Sequence, residues 1–412
     1  METWRTIRLG SACTTNSATY SPKEKWEFVN YLDTGNITNN RIDSIQHIDV
    51  ESEKLPSRAR RKVKTNSIIY STVRPNQRHF GIIKSQPDNF LVSTGFAVID
   101  VKPEILDANY LYYVLTQDSI VEKLHAIAEQ STSAYPSIKS SDIEDLEIEV
   151  PDLATQKKIA GILGELDRKA KQNAEINKNL EQQAQALFQE WFISNPESSD
   201  WNTGTFSDII DSMIAGDWGK ESQQGNFTKQ VFCIRGADIP EVKVGNEGKM
   251  PIRYILPKNY TAKHLVNGDV VVEISGGSPT QSTGRIAAIS QSLLDRYDKG
   301  IVCTNFCKAL KPKQGYSMFL YYYWQYLYNR NIFFSYENGT TGIKNLDISG
   351  FIETEPILLP PYELVSKFDS YCQSIFDMTF ANGLESERLS NLRDTLLPRL
   401  MSGEIDVSDI DL

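Results

Sequence analysis

The chain has 412 residues, 40% of them hydrophobic and 23% charged. That length allows two or more domains, and that composition excludes a disordered chain. A net charge of −10 argues against a protein that coats itself in nucleic acid over its whole surface, although net charge does not describe a local patch. Five cysteines (Cys13, Cys233, Cys303, Cys307 and Cys372) with no CxxC pair point to a reduced, cytoplasmic protein. The opening residues lack the apolar core of a signal peptide. The longest apolar run, Met318 to Tyr328, is too short and too aromatic to span a bilayer, so no membrane segment is expected.

Residues 1–150 read as a first domain of mixed α/β character. An opening strand or turn, Trp4 to Cys13, precedes a strand at Trp26–Leu32 and a basic cluster of Arg58, Arg60, Arg61, Lys62 and Lys64. The runs Ser67–Val73, Gly81–Ile83 and Phe90–Ile99 read as strands, separated by turns at Arg74–Gln77 and Gln86–Asn89. Asn109 to Ala128 has helical spacing, with Leu111, Val114, Leu115 and Val121 on one side. Ser131 to Ser141 is a polar loop. The alternating Leu146–Val150 reads as a strand that ends at Pro151.

Residues 151–194 then read as one long helix. Ile159, Leu163, Leu166, Ala170, Asn173, Asn177, Leu180, Ala184, Leu187 and Trp191 recur in steps of four and three, which is a heptad seam. About 40 residues at 1.5 Å each make a rod of roughly 60 Å. The two seam asparagines cost stability but fix register and partner.

A second cycle follows. Asn195–Asp200 has the composition of a linker, and residues 195–358 form a second domain. Residues 359–403 repeat the helical pattern and leave a short tail, 404–412. At an offset of 209 residues, Pro151 matches Pro360, Ile159 matches Phe368, Leu166 matches Ile375, and Asn173 matches Asn382. Leu180 likewise matches Leu389, and Leu187 matches Leu396. The domains correspond too: Gly268–Ser275 parallels the Ser67 strand, Val302–Phe306 parallels Val92–Phe96, and Phe319–Tyr322 parallels Tyr110–Tyr113. The expected fold is therefore α+β: two pseudo-repeated domains and two long helices paired antiparallel as a coiled coil. This period is too long for a solenoid of small repeats.

Two similar heads on a rigid helical spacer suit a polymer that carries two marks at fixed spacing, and duplex DNA is one. The same architecture also suits a scaffold, since fold does not imply function. Phosphate contacts would come from Lys and Arg, and base contacts from Arg, Asn, Gln, Ser and Thr on loops. In the first domain the candidates are Arg74, Asn76, Gln77 and Arg78, then Ser133, Tyr135 and Lys139 in the polar loop. The Arg58–Lys64 cluster could follow phosphates or be a solvated charged face. Matching loops of the second domain offer Ser278, Thr280, Gln281, Ser282 and Arg285, then Thr340, Thr341, Lys344 and Asn345.

Catalytic patterns are weak. Leu359-Pro-Pro-Tyr has leucine where the (D/N/S)PP(Y/F) motif of amino-methyltransferases needs a polar acceptor for the target amine. Pro151-Asp152 with Asp167-Arg168-Lys169 fits a loose nuclease pattern, but both parts lie on one heptad helix with no strand to hold a metal cage. Gly276-Gly-Ser-Pro lacks the Gly-Lys-Ser/Thr of a phosphate loop. His47, His79, His125 and His264 are scattered, so a metal site is not expected.

The repeats carry a specific likeness. VPDLATQKKIA from Val150 with LFQEWF from Leu187, and LPPYELV from Leu359 with LRDTLLPRLMSGEI from Leu392, resemble the specificity subunits of type I restriction–modification systems along the whole chain. The resemblance implies two target-recognition domains, each reading half of a split double-stranded DNA sequence. It implies helical regions that bind two methyltransferase subunits and, through them, restriction subunits. It implies no catalysis and no cofactor in this chain, with S-adenosylmethionine in the methyltransferase and ATP and Mg²⁺ in the restriction subunits, in a prokaryotic cytoplasm. The seam residues Ile159, Leu163, Leu166, Asn173, Leu180, Leu187, Trp191, Phe368, Ile375, Asn382, Leu389 and Leu396 are the expected pairing and partner-binding positions. Two alternatives are the specificity subunit of a related modification or phage-defence complex without the nuclease, and a coiled-coil scaffold that does not bind DNA. One departure from the family pattern is Gly383 in mid-helix with Arg393 at the seam, which predicts a less regular second helix.

Overall fold

The computed structural model describes residues 4–131, 135–278, 280–339 and 343–410. It divides into two compact units, Met1–Arg168 with Ser390–Leu412, and Lys169–Leu389. The fold is α+β with two long helices, as the repeat predicts.

The first unit is closed at its ends by a two-stranded ladder, in which Arg5–Arg8 runs antiparallel to Glu147–Val150 with Arg5 opposite Val150. The Glu-Ile-Glu-Val alternation turns Ile148 and Val150 inward and leaves the glutamates outside. An antiparallel sheet orders Cys13–Thr15, Phe96–Val101, Ile68–Ser71 and Phe80–Ile82. A second sheet orders Gln46–Asp49, Phe28–Leu32, Phe90–Ser93 and Ala59–Lys62, with its two middle strands parallel. The expected helix over 109–128 is two helices, Ala108–Thr116 and Asp118–Glu129. Gln117 between them is extended (φ −60°, ψ 138°), and Asp107 caps the first by accepting from the backbone N–H of Asn109 and Tyr110.

The second unit repeats this plan. Asn202–Thr205 pairs antiparallel with Pro356–Leu359. A four-stranded antiparallel sheet orders Ile210–Ala215, Cys307–Pro312, Val270–Glu273 and Ile286–Ala288. A three-stranded sheet holds Lys229–Ile234 between Ile252–Ile255 (antiparallel) and Ile301–Cys303 (parallel). The aromatic run is the helix Ser317–Asn329, and Phe319, Tyr321, Tyr322 and Trp324 on it are buried. Those rings are the centre of the second core, not a surface or a membrane segment.

The long helices are Leu153–Phe188 and Tyr362–Met401. Each contributes one part to each unit. In the first unit Ile159 and Leu163 share a core with Leu397 and Leu400, while Asp167 accepts from Arg393 at 2.6 Å. Rising numbers on one helix meet falling numbers on the other, so the pairing is antiparallel. In the second unit the Asn177 side chain donates to the Thr379 carbonyl (2.9 Å) and accepts from Asn382 (2.8 Å). Asn173 donates to Glu385 (2.7 Å) and to the Asn382 carbonyl (3.4 Å), so two positions equivalent in the repeat touch. The buried Asn173 Oδ1 has no hydrogen-bond partner.

The seam is legible but drifts. Phe368 and Ile375 are buried, Leu166 and Leu389 are half-buried, and Leu396 packs against the first core. Leu180, Leu187 and Trp191 only flank the second core; Ala184, Phe188 and Phe192 fill it. A straight helix of 3.6 residues per turn moves off a 3.5 repeat, which shifts the inward stripe by one position. The second long helix is also more regular than expected, unbroken over 40 residues. A side chain at Gly383 would come within 2.0 Å of the Gly245 carbonyl oxygen, so this glycine admits a loop against the helix instead of breaking it.

Candidate nucleic-acid interface

The first unit builds its candidate surface where the strand Ile68–Ser71 ends. The turn Pro75–Gln77 is flanked by Arg74 and Arg78, both left-handed, with φ of 48° and 55°. A side chain with a Cβ adopts that conformation only where its surroundings hold it. They do here: Arg74 N–H donates to the Pro136 carbonyl (2.9 Å), and Ile138 N–H donates to the Thr72 carbonyl (2.8 Å). The Arg74 guanidinium lies 5.3 Å from the centre of the Tyr135 ring. Two segments far apart in sequence thus form one surface, on which Asn76, Gln77, Tyr135 and Lys139 are exposed. Arg78 is turned inward, paired with Asp118 and donating to the Thr116 carbonyl (3.3 Å). Ser133 lies outside the described residues.

The basic cluster is divided. Lys62 pairs with Glu24 and lies 5.1 Å from the centre of the Trp26 ring, and Lys64 is 3.5 Å from Asp100. Arg61 is partly buried, and its Nε has no hydrogen-bond partner. Arg58 is exposed.

The second unit brings its two loops together through a small antiparallel sheet. Ser275–Gly276 pairs with Lys344–Leu346, which pairs with Glu337–Asn338. Glu337 is the clamp. It accepts from the Thr283 N–H (2.6 Å) and hydroxyl (3.0 Å), and from Lys344 Nζ (2.8 Å). Ser278 Oγ accepts from the Gln281 N–H (3.0 Å), which tightens the loop. Thr280, Gln281 and Asn345 are exposed, whereas Ser282 is buried and its carbonyl accepts from the Tyr328 hydroxyl (3.1 Å). Arg285 is bidentate on Glu273, at 2.7 and 2.6 Å. Thr340 and Thr341 lie outside the described residues.

Sequence reasoning missed Phe306. Aligned by motif, it is the counterpart of the buried Phe96. The ladder registers differ from that alignment. Phe96 sits opposite Ser71, whereas Cys307 sits opposite Glu273. The Gly95 carbonyl accepts from Thr72 N–H, and the Phe306 carbonyl accepts from Ile274 N–H. Phe306 therefore stands where the first unit has glycine, at the tip of a turn. The signal was the extra residue between Val302 and Cys307, visible only once the strands are paired. Among the described residues, no group of three or more His, Cys, Asp or Glu side chains is placed to hold a metal ion. None of their helices is long and apolar enough to cross a membrane.

These observations define a class of protein: a tandem repeat of α+β units with loop surfaces at matching places, joined through two long helices. Comparisons agree. Residues 1–182 match the family model described as the type I restriction modification DNA specificity domain. The specificity subunit of the type I restriction enzyme HindI of Haemophilus influenzae is 25% identical, over 98% of this chain and 100% of that protein. The MjaIX specificity subunit of Methanocaldococcus jannaschii is 26% identical over 80% of this chain and 76% of its own. The crystal structure of a type I restriction–modification S subunit from M. genitalium shares the fold, with a TM-score of 0.56 and 16% identity over 97% of this chain and 96% of that one. Residues 1–182 thus match that family's DNA specificity domain, and along nearly its whole length the chain is similar to type I restriction–modification specificity subunits.

Proposed function

We propose that this chain recognises double-stranded DNA for a type I restriction–modification complex. Each unit reads one half of a split sequence, and the chain itself carries out no catalysis. The observation that supports this most is the repeated pairing of loops. In each unit the segment after the inner strand of the large sheet is bonded to a segment more than 60 residues on, and exposed polar side chains stand on the result. The loops differ in sequence, so the two half-sites differ. The helical regions dock two methyltransferase subunits and through them restriction subunits. S-adenosylmethionine then belongs to the methyltransferase, and ATP and Mg²⁺ to the restriction subunit.

A net charge of −10 fits a chain that supplies recognition while its partners enclose the duplex. Alone it binds DNA weakly, and binding tightens when the methyltransferase is present. The test is a selection from random duplexes, using the chain co-expressed with the methyltransferase encoded beside it. Two short unlike motifs at one fixed spacing are expected. A stable complex that enriches no sequence, or equal affinity with and without methyltransferase, would contradict the reading.

A further inference from the structure

Large apolar side chains on the surface are common, but a cluster of the most exposed ones is informative. Among the described residues the three most exposed are Tyr135 (61%), Phe306 (60%) and Ile343 (60%). All three stand on the loop surfaces described above. In the first unit Tyr135 is backed by Arg74. In the second, Phe306 occupies the tip of the turn 304–307, closed by the Cys307 N–H donating to the Thr304 carbonyl at 2.9 Å.

The surroundings of Phe306 are those of a reading surface. On one side Asp217 N–H donates to the Cys303 carbonyl (2.8 Å), which fixes the segment that carries exposed Trp218 and Lys220. Arg253 lies 3.8 Å from the centre of the Trp218 ring. On the other side Ile274 N–H donates to the Phe306 carbonyl, and Leu346 N–H donates to the Ile274 carbonyl, both at 2.8 Å. That second link brings in Ile343, Lys344 and Asn345. An apolar tip is thus flanked by the exposed cation Lys220 and the exposed amide of Asn345, while Arg253 is buried and paired with Glu221 and Lys344 is held by Glu337. The equivalent glycine of the first unit leaves no room for a side chain, since a Cβ on Gly95 would meet Thr34 Cγ2 at 2.8 Å.

Resting on the recognition reading above, we infer that the second unit reads its half-site partly through an apolar contact of Phe306, supported by Ile343, with the C5-methyl group of thymine. Cations position a duplex by its phosphates, and an apolar side chain at a base edge distinguishes thymine from cytosine or a bare pyrimidine. The two half-sites are therefore read by different chemistry, because the first unit has no side chain at this position.

The experiment uses the chain co-purified with its methyltransferase and compares wild type, Phe306→Ala and the control Val266→Ala. Val266 is an exposed apolar residue of the same unit, beyond the far end of the strand that leads to the turn. After selection from random duplexes, each protein is titrated with its motif carrying thymine or uracil. We expect Phe306→Ala to lose preference at one or two positions of one motif only and to bind about 5- to 30-fold more weakly. Uracil weakens wild type and Val266→Ala about 3- to 10-fold and leaves Phe306→Ala unmoved. Identical motifs and affinities within about twofold for wild type and Phe306→Ala, or an equal response of both to uracil, would overturn the inference and leave the recognition reading standing. No enriched motif from wild type would overturn both.

Discussion

At positions equivalent in the repeat, the two units fill the same space in opposite ways. In the first, Asp167 accepts from Arg393 (2.6 Å) and from the Tyr113 hydroxyl (2.7 Å). A cavity of about 570 Å³ opens beside them, lined also by Tyr112, Asp394 and Pro398. In the second, the counterparts of Asp167 and Arg393 are Phe376 and Ala184, both buried, and Phe376 meets the ring of Tyr321 at 5.5 Å. Burial, with the Asp167 carboxylate beside it, pushes the Tyr113 phenol well up, so it stays protonated and keeps donating. One unit thus closes against its helices with an ionic cluster that water reaches, and the other with packed rings. A repeat inherited as one sequence can preserve a backbone plan while its interior changes from polar to apolar, provided both members of a contact change together.

The candidate arginines show the same contrast and give the largest expected effect. Glu273, the partner of Arg285, has a side chain only 5% exposed, whereas Asp118, the partner of Arg78, is 79% exposed. Arg285→Ala strands a buried carboxylate and should cost about 3–5 kcal/mol. Arg78→Ala breaks a surface pair and should cost under about 1 kcal/mol. Urea unfolding measures both, and adding Glu273→Gln to Arg285→Ala should recover most of the loss. Equal costs at the two arginines would break the comparison. A loss of DNA binding by Arg285→Ala then has to be separated from unfolding before it is assigned to a base contact.

Truncation should separate the two interiors next. Phe376→Ala opens a cavity among rings and is expected to cost about 3–4 kcal/mol. Arg393→Ala leaves Asp167 bonded to Tyr113 and open to water, which limits its cost to about 1–2 kcal/mol. Thermal unfolding checks the order, and a larger loss from Arg393→Ala would refute it.

The smallest effect concerns a feature that the units share. Asp33 and Asp238 each follow the strand that pairs in parallel in their unit. Burial pushes both carboxyls up, but hydrogen bonds outweigh it and hold both below the usual value: from Thr34, Ser93 and Tyr31 at Asp33, and from Arg235 and Lys249 at Asp238. A lowered folded pKa means that their stabilisation is fully present above the ordinary carboxylate value of about 4 and is lost as pH falls through the folded one. The difference in urea midpoint between wild type and Asp238→Asn should therefore shrink as pH is lowered below about 4. A difference that grows on acidification would reverse the assignment.

Much of this architecture is legible in the sequence because it rests on periodicity. The seam asparagine Asn173 recurs 209 residues on as Asn382, whereas the pairing that closes each domain, Arg5–Arg8 with Glu147–Val150 and Asn202–Thr205 with Pro356–Leu359, emerges only in the structure. The break at Gln117 was hidden because both flanking helices keep an apolar face and neither glycine nor proline marks the gap. Of the loop residues, the sequence locates the segments but not the side chains. Arg78, Arg285 and Lys344 look like free cations until Asp118, Glu273 and Glu337 are found beside them. Phe306 looks like core until strand register puts it on a turn.

Gly245 faces the second long helix with a φ of 87°, and a side chain on it would strike the Thr379 carbonyl oxygen at 2.3 Å. It meets Gly383 across that contact. The pair is a compatibility rule for exchange. A foreign second unit spliced into this chain must bring its own glycine at the loop that meets Gly383, or the graft will be rejected at the helix.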